Sequence, residues 1–246
     1  MTSTESVDLG KLDDGEITTT LADRIKQFIL EEGLAPGDMI PPETELGAHL
    51  GVSRSSVREA IRSLAALDIV EVHHGTGTRV GNLDLTPMVQ NLLFRSEVRP
   101  GDAVSSLREV VDVRLTLDLG QAENVVASLT GTHDKTLHRL ANEIEELGNR
   151  GENFEIQDRD FHGRIVPRTA GHLINDLMQA FFDVHTTLLH ELDVPADEEF
   201  HETLAAHEAM LCAAEAGDLD AYRDAVLSHY QPLVRALESW DEMSWV

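Results

Sequence analysis

Cysteine occurs once, as Cys212, so the chain can form no internal disulfide. Met210, Leu211 and Ala213 surround it, and it reads as a small core side chain rather than a reactive thiol. Aromatic residues are scarce, at 4%, which argues against a stacking platform for single-stranded nucleic acid. No apolar run approaches the roughly twenty residues of a membrane helix, and the N-terminal residues lack a basic-then-apolar leader pattern. A cytoplasmic protein with no membrane partner is expected. Positive charge is also in short supply: 19 Lys and Arg stand against 45 Asp and Glu, a net charge of −26.

That total looks wrong for a protein that binds DNA, but its distribution is uneven. Residues 1–16 carry one Lys and five acids, and residues 17–82 carry six Lys or Arg and nine acids. Residues 83–246 hold twelve Lys or Arg and thirty-one acids. Arg54, Arg58 and Arg62 recur every four residues, so they share one face of a helix. A local basic stripe can bind phosphate when acidic residues elsewhere lie beyond a Debye length of about 8 Å. With 246 residues, 41% of them hydrophobic, the chain is long enough for two modest domains with real cores.

Residues 1–16 are polar and aperiodic and are expected to be a disordered tail. Residues 17–82 read as one domain. Leu21, Ile25, Phe28 and Ile29 fall at helical spacing within 18–31. A turn at Ala35–Asp38 and the pair Pro41-Pro42 precede a short helix, Glu43 to Leu50, with Leu46 and Leu50 inward. Gly51 breaks that helix, Val52 can plug the core, and Ser53 suits an N-cap. A third helix is expected from Arg54 to Leu67, burying Val57, Ala60, Ile61, Leu64 and Leu67. Two short helices about a tight glycine turn form a helix-turn-helix, whose second member reads the major groove. Strand signals at Ile69–Val72 and Thr78–Val80, with His73–Gly77 between them, add a β-hairpin wing.

The start of the third helix gathers Ser53, Arg54, Ser55 and Ser56. Its N-terminal amides and the serine hydroxyls suit phosphate. Arg54 can fork onto a guanine edge, and Arg58 can reach a base or the backbone. One recognition helix reads few base pairs, so a homodimer on a double-stranded palindromic operator is expected.

From Leu83 onward strand signals vanish. Helical stretches are expected at 102–130, 134–148, 153–169, 171–192, 197–216 and 218–238, with breaks that include Asp193–Pro195 and Gly217-Asp218. Short connections imply an antiparallel all-α bundle over 83–246. The fold class is therefore mainly α: a winged helix-turn-helix followed by a helical bundle. Most of the twelve histidines, His133, His138 and His185 among them, are read as surface or satisfied-core residues. Asp158 and His162 are one helical turn apart. His207 lies ten residues before Gly217 and His229 twelve after it. At 1.5 Å per residue both imidazoles sit roughly 15–18 Å from the turn. If the two helices fold back, they come level. Spacing alone leaves open whether the four form a metal shell or unrelated packed residues.

The segment Pro41-Pro42-Glu43-Thr44-Glu45-Leu46 through Gly51-Val52-Ser53-Arg54-Ser55-Ser56-Val57-Arg58, with the wing His74-Gly75-Thr76-Gly77-Thr78-Arg79-Val80, closely resembles the GntR family of regulators. The helical remainder resembles the FCD domain of the FadR subfamily. The resemblance implies a repressor whose wing residues His74 and Gly75 approach the minor groove. Many members carry Arg where this chain has Thr44, so the DNA preference at that position is open. It further implies that Asp158, His162, His207 and His229 hold a divalent ion, whether Zn, Ni, Mn or Fe. Beside it, Arg114 would meet the carboxylate of a small hydroxy, keto or sugar acid effector. Members often have Glu at Asp118 and Asn at His172, which leaves the polar lining of the pocket open.

Two other classes are weighed. A metal-dependent hydrolase fused to a DNA-binding module is disfavoured, because four protein ligands nearly saturate an ion and no spare general base stands nearby. A metal-free repressor responding to acyl-CoA leaves three convergent histidines without a purpose. The reading is a regulator rather than an enzyme.

Overall fold

The structure, a computed structural model, describes residues 20–98, 103–166, 171–192 and 200–243. The chain divides after Asp84 into two compact units, each with its own hydrophobic core. The expected tail at 1–16 and the expected break at Asp193–Pro195 lie outside the described residues.

The first unit opens with α1 (Leu21–Glu31), capped by Thr20, whose hydroxyl accepts the Asp23 amide at 3.1 Å. After β1 (Met39–Ile40) come α2 (Glu43–Leu50) and α3 (Arg54–Ala65). Gly51 joins them in the left-handed region at φ 68°, where a Cβ is penalised. Gly47 is also needed: a Cβ there would stand 2.9 Å from the Val52 carbonyl oxygen, so α2 meets the turn at backbone contact. Ser53 caps α3 by accepting the Ser56 amide at 3.1 Å. The hairpin β2 (Val70–His73) and β3 (Gly77–Val80) follows, with His73 opposite Gly77. The antiparallel sheet runs β1-β3-β2.

Three details differ from expectation. The strand β1 has only two residues, too short to leave a pattern, and it exists because β3 offers its free edge. The third helix stops at Ala65 and Leu67 is exposed, since Asp68 turns the chain at φ 55° toward the hairpin. Leu50 is half-buried rather than fully inward. Ile25, Leu46, Val57, Ile61, Leu64, Val70 and Val80 form the core that fixes α2 and α3 against the sheet.

The second unit is helical throughout the described residues: α4 (Thr86–Val98), α5 (Ala103–Leu129), α6 (Lys135–Asn149), α7 (Glu155–Ile165), α8 (His172–Leu192), α9 (Phe200–Ala216) and α10 (Leu219–Met243). Helix α4 is not among the helical stretches expected from the sequence. It is a helix whose Val89, Leu92 and Leu93 pack on the bundle core. The turn Gly217-Asp218 folds α10 back along α9, and α10 continues through Pro232 to Met243. Helix α5 packs against α8 and α10, and α6 against α7 and α9. Cys212 is exposed rather than in the core. The rotation of α9 buries Met210, Leu211, Ala213 and Ala214 and turns Cys212 to the same side as Glu208 and Glu215.

Leu46 is 1% exposed at the centre of the first core. Leu46→Ala is expected to cost the first unit about 2–5 kcal/mol, read as a lower urea midpoint of the full chain.

Candidate functional site

Asp158 and His162 face inward from successive turns of α7, His207 from α9 and His229 from α10. All four bring ligand atoms within 4.8 Å of one another. The expected level meeting of His207 and His229 is observed, with ring centroids 4.7 Å apart. His162 lies 4.9 Å from His229 and 5.5 Å from His207, ring to ring. The three imidazoles are buried, His207 completely.

Their hydrogen bonds are incomplete. His207 Nδ1 stands 3.3 Å from the Leu204 carbonyl oxygen, which can only accept, so Nδ1 carries the proton. Its Nε2 meets Asp158 Oδ1 at 2.8 Å. Two lone-pair atoms at that distance need a second proton or a cation between them. His162 Nε2 is 3.4 Å from the same oxygen but lacks hydrogen-bond geometry, and His229 Nδ1 has no partner. Each buried, unsatisfied nitrogen costs about 1–3 kcal/mol. Burial pushes the Asp158 carboxyl upward, but the His162 and His207 imidazoles outweigh this and hold it well below the usual range. Burial, then His207 and His162, push His229 well below the ordinary histidine value. An ionised carboxylate and a neutral buried imidazole are the forms that ligate a cation, so the donor set fits a divalent ion.

Next to this cluster, Arg114 on α5 is buried, with its guanidinium carbon 4.9 Å from the Phe182 ring centre and 5.5 Å from that of Tyr230. It forms no ion pair among the described residues, and its Nη1 touches His185 Nδ1. The sequence reads His185 as a surface or satisfied-core residue. Instead it is buried, contacts Arg114, and leaves Nε2 unpartnered. Only its helical period, placing it one turn beyond Phe181 and Phe182 on α8, hinted at this. Asp118, also buried, accepts the Tyr230 hydroxyl at 2.5 Å. Burial is the largest of the causes that hold the Tyr230 hydroxyl protonated, its pKa well above normal. Arg114, Asp118, His162, Met178 and Phe182 line a cavity of about 10 Å³. His172 begins α8 and is exposed.

In the first unit, Ser53, Arg54, Ser55, Ser56 and Arg58 are exposed along the start of α3. The Ser53 hydroxyl also pairs with those of Ser55 at 2.8 Å and Ser56 at 2.9 Å. Thr44 is exposed on α2, and His74 and Gly75 form the exposed tip of the hairpin, Gly75 at φ 86°. Glu43 was not anticipated. It accepts Arg54 Nε at 2.8 Å and Arg58 Nη2 at 2.7 Å. Hydrogen bonds from Arg58 and then Arg54 lower its carboxyl to about 2. Nothing local signals this pairing, which spans the helix-turn-helix.

Known proteins match this arrangement. The family described as bacterial regulatory proteins of the gntR family matches residues 17–80, and the FCD domain family matches residues 109–232. An Escherichia coli K12 protein, named as a candidate regulator of the L-lactate dehydrogenase operon, is 26% identical over 92% of this chain and 88% of its own length. A Paenarthrobacter nicotinovorans protein, named as a candidate repressor of a D-xylose utilization operon, is 29% identical over 86% of each chain. The solved structure of a Streptococcus agalactiae GntR protein superposes with a TM-score of 0.62 at 27% identity, over 87% of this chain and 97% of that one. The chain is a member of the GntR family, a DNA-binding transcriptional regulator that joins a gntR-type helix-turn-helix to an FCD domain.

Proposed function

We propose that this regulator is a metabolite-controlled repressor of the FadR subfamily, binding a palindromic operator as a homodimer through residues 17–82. Residues 83–246 then serve dimerisation and sensing. A small carboxylate is sensed beside a divalent ion held by Asp158, His162, His207 and His229. The observation that carries this reading is the pairing of two unmet needs across one cavity. On one side are buried imidazole nitrogens without partners, and on the other the buried Arg114 guanidinium, which forms no ion pair among the described residues although Asp118 lines the same cavity. An ion with open positions binds carboxylate and hydroxyl oxygens. Arg114 would orient the acid from the opposite side through a charge-assisted pair.

The cavity has room for about one water. A small acid enters only when Met178 or Phe182 swings aside, so it selects an open state of the bundle. The relative named for an L-lactate dehydrogenase operon puts hydroxy acids first among effectors to try. Such an acid is expected to change operator affinity by about 1–3 kcal/mol, read by fluorescence anisotropy. A panel of hydroxy, keto and sugar acids that shifts neither melting temperature nor DNA affinity overturns this class of effector.

In the reading head, Ser53, Ser55 and Ser56 would meet phosphate, with Thr44 beside them, and His74 and Gly75 would approach the minor groove. Arg54 and Arg58 would leave Glu43 for DNA. Arg54→Ala is expected to weaken operator binding by about 1–3 kcal/mol and relax specificity at one base pair. Glu43→Gln should act in the opposite direction, strengthening binding, because both guanidiniums lose a competing anion. Unchanged affinity in both variants contradicts this placement of the recognition helix.

A metal that binds only the folded state stabilises it by mass action. Chelation is therefore expected to lower the melting temperature of the wild type by more than that of Asp158→Asn or His207→Ala. Equal sensitivity in all three proteins counts against the inner ion.

A further inference from the structure

Away from the buried cluster, a second group of ligating side chains gathers where α6 begins and α9 ends. His133 lies in the segment before α6, His138 on its first turns, and Glu208 and Glu215 two turns apart on α9. Ligand atoms of His133, His138 and Glu215 lie within 4.8 Å of one another.

Glu215 is held in place. Its Oε1 accepts the Asp134 amide at 2.8 Å, and its carbonyl accepts the Gly131 amide at 2.9 Å. Its Oε2 therefore points at a fixed spot, with His138 Nε2 at 3.0 Å and His133 Nδ1 at 3.5 Å. The other nitrogen of His138, Nδ1, meets Glu208 at 2.9 Å. A carboxylate behind one imidazole nitrogen fixes the tautomer and turns the opposite lone pair outward, as partners of metal-bound histidines do. His133 is 64% exposed, whereas His138 and Glu215 are mostly buried, so the group opens to solvent on one side only.

We propose that His133, His138 and Glu215 form a second divalent-cation site of the zinc class, with Glu208 as the outer partner of His138. Three protein ligands of N and O type with an open position suit Zn²⁺, completed by water. The site is exchangeable rather than structural, because one ligand is an exposed side chain outside any helix. Cys212 is left out. Burial and Glu208 raise its thiol pKa, and its sulfur is directed at Glu208 Oε1, 3.4 Å away. An ion here would tie the 131–134 segment and α6 to the end of α9.

The competing arrangement is a proton on His138 shared between two carboxylates. Burial opposes that charge, but Glu215 and Glu208 outweigh it and raise the His138 pKa. That pairing leaves His133 only a long contact, 3.5 Å from Glu215 Oε2. The two rings lie with centroids 4.3 Å apart, and a cation draws the lone pairs of both neutral rings and the Glu215 oxygen to one point.

The test counts Zn²⁺ per chain by elemental analysis after dialysis of the full-length protein against buffered zinc chloride, and records Co²⁺ absorption of the same proteins. The wild type is expected to hold one equivalent more than His133→Ala or Glu215→Gln. Asp158→Asn should keep that equivalent, which separates it from the buried cluster. Glu208→Gln should weaken it by about 10–100-fold. His133 is exposed, so His133→Ala keeps the fold and reads the site alone. Equal zinc content and affinity in wild type, His133→Ala and Glu215→Gln overturns the proposal and leaves the shared proton. So does a wild type whose zinc is lost entirely in Asp158→Asn.

Discussion

A half-buried carboxylate and three buried imidazoles meet where α7, α9 and α10 come together, and their burial constrains the rest of the helical unit. Polar groups removed from water must find partners. Here Asp158 reaches His207, while nitrogens of His162 and His229 stay unpaired. A core of Leu and Val would be more stable at that position. The unit accepts the penalty at one place and offsets it with an apolar shell, in which Phe161 stands edge-on to both His162 and His207. Arg114 is buried across the cavity, its guanidinium set against the faces of Phe182 and Tyr230.

Helix α9 links the two histidine groups. Its inner side carries His207, and its outer side carries Glu208, Cys212 and Glu215. Side chains one residue apart thus serve a buried cluster and a surface cluster. A small shift or rotation of α9 moves both, so any ligand at either cluster acts on the same rigid strut. The two-residue turn to α10 makes this strut short of freedom, because His229 must follow His207.

In the DNA-binding unit the notable pairing is intramolecular. Glu43 at the start of α2 holds Arg54 and Arg58 of α3. The pair is exposed, so its contribution to stability is small, but it orients both guanidiniums along one face. On the proposed placement of the recognition helix, phosphate would compete with a single carboxylate for two arginines, and salt would tune that exchange. The acidic excess of the chain lies mainly in the other unit, which is how a net charge of −26 coexists with this basic face.

The helix-turn-helix was legible because its signals are local. Gly51, the Ser53 cap and the spacing of Val57, Ile61 and Leu64 each act within a few residues. His207 and His229 were legible for a related reason: a two-residue turn makes distance along two helices countable. The short strand β1 left no pattern of its own, and α4 was missed because its helical face has meaning only against the bundle. Glu43 with Arg54 and Arg58, His185 against Arg114, the exposure of Cys212 and the gathering of His133, His138 and Glu215 were decided by tertiary structure alone. Each depends on how far a helix is rotated about its axis and which distant segment lies beside it. Those quantities come from packing whole apolar faces together, so no single stretch of sequence carries them.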